Sequence, residues 1–195
     1  RGPWPAFGAL RWAAATRRIL HAYFTTVSFE FSFPAPADTR GMRFAANSPF
    51  LATNVRALVG RPALWLPTLV EPEACRCEAR GDAILFVHPT PVRGAHLAAA
   101  IAARLPHRRF LFARMPRESG GEAEIDVDLP NVEAADAAAD PRPLLERTRL
   151  VLMPSMHEEA WGRIVTEAQV SGIPALAADR GGLAANVGEA GSVVP

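Results

Sequence analysis

Residues 150–178, LVLMPSMHEEAWGRIVTEAQVSGIPALAA, decide the fold. Leu150 to Met153 is a continuous apolar run, which suits a parallel strand covered on both faces rather than one with a wet side. Pro154 and Ser155 end it. The spacing of Ile164, Val165, Ala168 and Val170 predicts a helix over about 162–171, and Gly172 stands where a left-handed cap is expected. Residues 173–177 form the next predicted strand. Glu159 precedes the helix and Glu167 lies within it, with seven residues between them. Both carboxylates are therefore expected to reach one crevice at the carboxyl ends of the strands, where open α/β sheets bind ligands.

The same alternation extends upstream. Residues 83–87 form an apolar strand, His88-Pro89-Thr90-Pro91-Val92 lead to Arg93-Gly94, a helix is predicted over 95–105 and a strand over 110–113. This is a βαβ unit whose first turn should face the crevice. Residues 116–128 read as a polar loop leading to a strand, and 141–149 as a short helix. Repetition of strand and helix argues for a doubly wound parallel sheet. Downstream, the adjacent glycines Gly181 and Gly182 permit a tight turn whose backbone N–H groups can point at an anion.

The first third has a different grain. Residues 8–24 are expected to form a helix with Trp12, Ile19, Leu20 and Tyr23 near one face and Arg11 and Arg18 near the other. Such a helix packs on a sheet or, with arginine beside aromatics, lies on a membrane surface. Residues 25–33 alternate weakly, as a strand does. A short strand is predicted over 42–47, then a helix with Ser48 as N-cap, Pro49 at its first position and Gly60 at its stop, then a strand over 63–66. Residues 68–80, rich in Pro, Glu and Cys, read as a linker between domains 1–67 and 81–195.

Composition narrows the function classes. Apolar residues make up 49% of the 195, enough for a substantial core. Twenty-one basic residues against twenty acidic give a net charge of +1, which points away from a nucleic-acid partner. Every basic residue is Arg, so no lysine chemistry is on offer. Cys75 and Cys77 are neither numerous nor spaced for zinc, and structural disulfides are not expected, which favours a reducing cytoplasm. Asp126-Val127-Asp128 has a spacing that other proteins use for manganese, but it lacks supporting ligands and reads as an acidic loop. No metal or cofactor is expected. No apolar run reaches the length of a membrane span. The chain opens on Arg1 without a hydrophobic leader and reads as a fragment.

Met153-Pro154-Ser155, Glu159-Ala160-Trp161-Gly162, Glu167-Ala168, Ser171-Gly172-Ile173-Pro174 and Gly181-Gly182, in that order and spacing, resemble the donor-site signature of the family 4 retaining glycosyltransferases. The passage 42–66 resembles the end of the acceptor-side domain of the same family. The resemblance implies a GT-B type fold, with a nearly complete C-terminal donor domain and a truncated N-terminal domain. It also implies transfer of a sugar from a nucleoside diphosphate donor to a hydroxyl of a carbohydrate, lipid-linked or small-molecule acceptor. By the same resemblance Arg93 would hold the diphosphate, Glu159 the sugar hydroxyls and Glu167 the nucleotide ribose. Gly162, Gly181 and Gly182 would lie against the donor, and His157 would line the pocket. Three positions depart from the family pattern: Arg93 replaces a lysine, His88 an arginine five positions earlier, and Ala185 a donor-contacting glutamate. His88 is then either a phosphate contact or a strand-end residue bonded to backbone. Rival readings are a nucleotide-sugar epimerase of similar fold and a non-catalytic sugar-nucleotide-binding module.

Overall fold

The structure, a computed structural model, describes the backbone of residues 20–24 and the whole of residues 42–115 and 124–195. Contacts divide the chain into two units, Arg1–Thr68 and Leu69–Pro195.

In the first unit, β1 (Leu20–Phe24), β2 (Met42–Ala46) and β3 (Ala63–Trp65) form a parallel sheet in that order. The expected helix over 8–24 is corrected at its end, because residues 20–24 pair with β2 in parallel register. Leu-His-Ala-Tyr-Phe is as apolar as a helix face but also as aromatic as a strand, and the free edge of β2 decides between them. The rest of that expected helix, its membrane-surface alternative and the strand over 25–33 lie outside the described residues. Helix α1 (Pro49–Val59) forms as its caps demand. Ser48 Oγ accepts from Leu51 N–H at 3.0 Å, and Gly60, at φ 67°, donates its N–H to Arg56 O. Its buried side is Leu51, Val55 and Val59, one residue per turn.

In the second unit a short helix α2 (Pro72–Cys75) interrupts the stretch read as linker. The sheet then builds from β4 (Ala83–Val87), β5 (Phe110–Arg114), β6 (Val132–Asp136), β7 (Thr148–Met153), β8 (Ala175–Ala178) and β9 (Gly191–Val194). All neighbours are parallel, in the order β6-β5-β4-β7-β8-β9. This is a doubly wound sheet. Its connection reverses direction between β4 and β7, and the crevice at the carboxyl ends of those two strands is the switch point.

Alternation sends successive side chains to opposite faces. Leu85, Leu111 and Val151 join the core beneath α4 (Arg142–Leu145), α5 (Arg163–Gln169) and α6 (Leu183–Val187). Phe86, Phe112 and Leu152 join the core on the other face, beneath α3 (Ala95–Arg104). Helix α3 presents Ala95, Ala98 and Ala102, whose small side chains let its backbone lie close over the aromatics. Phe86 and Phe112 meet edge to face with centroids 5.1 Å apart.

Candidate functional site

Two connections meet at the switch point. The first leaves β4 through His88, which holds the left-handed conformation at φ 62° and donates its N–H to Ala113 O at 2.8 Å. A non-glycine residue there stores strain, a recurrent feature of ligand-binding turns. A 3₁₀ turn over Pro91–Arg93 then ends on Gly94, φ 83°, the residue before α3. The second leaves β7 through Pro154. A Cβ on Gly94 would lie 2.0 Å from Pro154 O, so the two loops touch backbone to backbone and only glycine fits.

That contact brings together residues distant in sequence. Arg93 Nη1 donates to Glu159 Oε1 at 2.8 Å, and Ser155 Oγ donates to the same oxygen at 3.1 Å. His157 Nε2 lies 3.5 Å from it, while His157 Nδ1 sits 3.0 Å from Val92 O; a carbonyl only accepts, so Nδ1 carries the proton there. Glu159 is 8% exposed in its side chain and Arg93 is 30% exposed, so the acid is buried while its cation keeps contact with solvent. His88 Nε2 is 3.8 Å from Glu124 Oε1, an acid that also accepts the Met115 N–H at 2.9 Å.

The twin glycines serve the acid loop differently from the sequence expectation. The Gly182 N–H donates to Glu159 O at 2.7 Å and is not directed at a ligand. Gly181, φ 59°, lies so close that a Cβ would fall 2.2 Å from that same carbonyl oxygen. Gly162, φ 80°, precedes α5 and packs on Leu183, whose Cδ2 a Cβ would meet at 2.6 Å. All three glycines therefore fix the course of residues 159–162.

A buried network that sequence reasoning missed completes this clamp. Asn186, 7% exposed, donates from Nδ2 to Trp161 O at 2.7 Å and Gly162 O at 2.9 Å. Its Oδ1 accepts from Thr166 Oγ1 at 2.7 Å, and that hydroxyl accepts from Trp161 Nε1 at 2.9 Å. Every polar atom of the amide has a partner, which fixes α6 against the acid loop and α5. A lone Asn in an alanine-rich stretch carries no pattern that would single it out.

Glu167 has a different partner from Glu159. It accepts from Arg163 Nε at 2.6 Å across one turn of α5. Burial pushes its carboxyl pKa up, and Arg163 opposes the shift without cancelling it. Among the described residues no cluster of His, Cys, Asp and Glu could hold a metal. Asp126 instead pairs with Arg114. Nor, among those residues, is any helix long and apolar enough to cross a membrane. A separate cleft of about 280 Å³ opens at the opposite, amino-terminal end of the sheet beside Ala83 and Phe110. Its charges engage one another, Arg109 with Asp82 and Arg147 with Glu133.

The six-stranded parallel sheet, wound in both directions from β4 and β7, is that of the GT-B glycosyltransferases. Residues 82–195, more than half the chain, match the family of group 1 glycosyl transferases, and the chain belongs to that family. No curated protein sequence matches it significantly. Among solved structures it resembles a glycosyltransferase from Rickettsia africae, with TM-score 0.80 and 15% identity over 100% of this chain and 61% of that one. It also resembles Anabaena HepE in complex with UDP and glucose, with TM-score 0.72 and 18% identity over 95% of this chain and 60% of that one. A third is the sucrose-phosphate synthase of Thermosynechococcus elongatus, with TM-score 0.71 and 16% identity over 96% of this chain and 58% of that one. The chain thus spans about 60% of the length of the first two.

Proposed function

We propose that the crevice binds a nucleoside diphosphate sugar and that the protein transfers its sugar, a hexose, to a hydroxyl acceptor with retention, as in family 4. The observation that carries this reading is the meeting of Arg93 and Glu159, 66 positions apart in sequence, at the switch point between β4 and β7. A guanidinium at the switch point suits a diphosphate, because charge-assisted phosphate contacts are the strong ones. A buried carboxylate beside it accepts hydrogen bonds from sugar hydroxyls. Anabaena HepE, which shares this fold, binds UDP together with glucose.

The chemical difficulty is charge on the leaving group. Departure of the diphosphate leaves an oxocarbenium-like sugar, so a cation fixed at the phosphates before reaction lowers the barrier most. Arg93 supplies it, with His88 as a second phosphate contact and the strained turn aiming both. Glu159 orients the sugar, held by Ser155 and by the glycines at 162, 181 and 182. Glu167 receives the ribose hydroxyls, and His157 lines the sugar side. In this reading 1–67 belongs to the acceptor-side domain, 68–80 is the linker and 81–195 is the donor domain of a cytoplasmic enzyme.

Arg93→Ala is expected to weaken nucleoside diphosphate binding by about tenfold or more, since a charged hydrogen bond contributes about 1.5–3 kcal/mol. Affinity for the bare nucleoside should not change. Calorimetry checks this, and parallel losses for both ligands would make Arg93 a structural residue.

A further inference from the structure

Arg93 and Glu159 are each other's partners at the switch point, although the proposed function assigns them to the two ends of one ligand. Resting on the proposed function, we infer that this internal ion pair makes the site selective for the intact sugar nucleotide over the free nucleoside diphosphate. Arg93 Nη1 and Ser155 Oγ both donate to a single oxygen, Glu159 Oε1, at 2.8 and 3.1 Å. Oε2 carries none of these contacts.

A diphosphate entering alone meets a cation already neutralised. If Arg93 swings to the phosphates, Glu159 keeps a buried charge without its counter-ion, which is costly in a poorly solvated place. If Arg93 instead shares its five donors between both anions, the carboxylate repels the diphosphate at close range. Either way the free nucleotide is penalised. An intact donor removes the penalty, because hydroxyls of its sugar donate to Glu159 as Arg93 turns to the phosphates. The sugar and the diphosphate then bind cooperatively through one pair of side chains. The consequence for turnover is rapid loss of the nucleoside diphosphate product once the sugar has gone.

His88 and Glu167 have other partners. His88 faces Glu124 at 3.8 Å and not Glu159, and Glu167 already holds Arg163.

The test is calorimetric titration of the 195-residue chain with UDP and UDP-glucose, and in parallel with GDP and GDP-mannose. The unmodified chain should bind one sugar nucleotide about tenfold or more tightly than its parent diphosphate. In Glu159→Gln, which keeps shape and removes charge, the diphosphate should bind severalfold more tightly than before while the sugar nucleotide weakens, so that the preference collapses. Glu159→Ala must move the ratio in the same direction, and a cooperative melting transition shows that each variant is folded. A merely structural role for Glu159 would weaken both ligands together. That result, or an unaltered ratio, overturns the inference and leaves the proposed function standing. No binding of any of the four ligands by the unmodified folded chain overturns both.

Discussion

Gly181→Ala is expected to destabilise the chain by about 3 kcal/mol or more, a loss outside the ordinary range for surface substitutions. Two costs add. At φ 59° the residue occupies the left-handed region, where a Cβ costs about 1–2 kcal/mol. That Cβ would also fall 2.2 Å from Glu159 O and 2.8 Å from Glu159 N, both backbone atoms. Neither can give way alone, because the Gly182 N–H is bonded to that same carbonyl oxygen. Relief of the clash must therefore displace the acid loop and carry the Glu159 carboxylate away from Arg93. Urea unfolding should show the loss in stability, and any variant that remains folded should have lost its preference for sugar nucleotides. A variant within about 0.5 kcal/mol of the parent would mean that turn and loop do not touch as described.

Glu167→Gln should have opposite effects on binding and stability. Burial raises the folded pKa of Glu167 above its ordinary 4.5, so the folded chain holds the proton more tightly than the unfolded chain does. By linkage, stability falls as pH rises from 4.5 through the folded pKa, and above it the ionised carboxylate carries the full penalty. Glutamine cannot ionise. The variant should melt higher than the parent at pH 7, with the difference shrinking to nothing below about pH 4.5. Nucleotide affinity should meanwhile drop about tenfold, because ribose hydroxyls lose a charged acceptor. Melting curves at pH 4 and 7 together with calorimetry decide the matter. A variant less stable at pH 7 would contradict the electrostatic account, and unchanged affinity would remove Glu167 from the site.

Much of this architecture is legible in local sequence, for physical reasons that also explain the failures. Buried parallel strands such as 83–87 and 150–153 need continuous apolar runs, and α1 is bounded by a Ser-Pro start and a Gly stop. These signals act within a few residues. The strand expected after the loop over 116–128 is β6, Val-Glu-Ala-Ala-Asp, but it is largely exposed at a sheet edge and no apolar run announces its bounds. Helix α6 has five residues and β9 only four, too short for a period to emerge. The pairing of Arg93 with Glu159 was beyond reach for another reason. Each was recognisable as a candidate, but their contact depends on Gly94 approaching Pro154 across the switch point, which spacing along the chain does not encode. The same holds for the Gly182 N–H. A glycine pair advertises a turn, and only the fold shows that the turn clamps the acid loop.

Whether the crevice between β4 and β7 is a sugar-nucleotide site is decided by a thermal-shift panel of nucleosides, nucleoside diphosphates and sugar nucleotides. A ligand at a hundred times its dissociation constant stabilises a folded chain by about 2.7 kcal/mol, which corresponds to a shift of several degrees in a chain of this size. At equal concentrations at least one sugar nucleotide should give such a shift, its diphosphate a smaller one and its nucleoside the smallest. A cooperative melting transition that no member of the panel moves would contradict the proposed function.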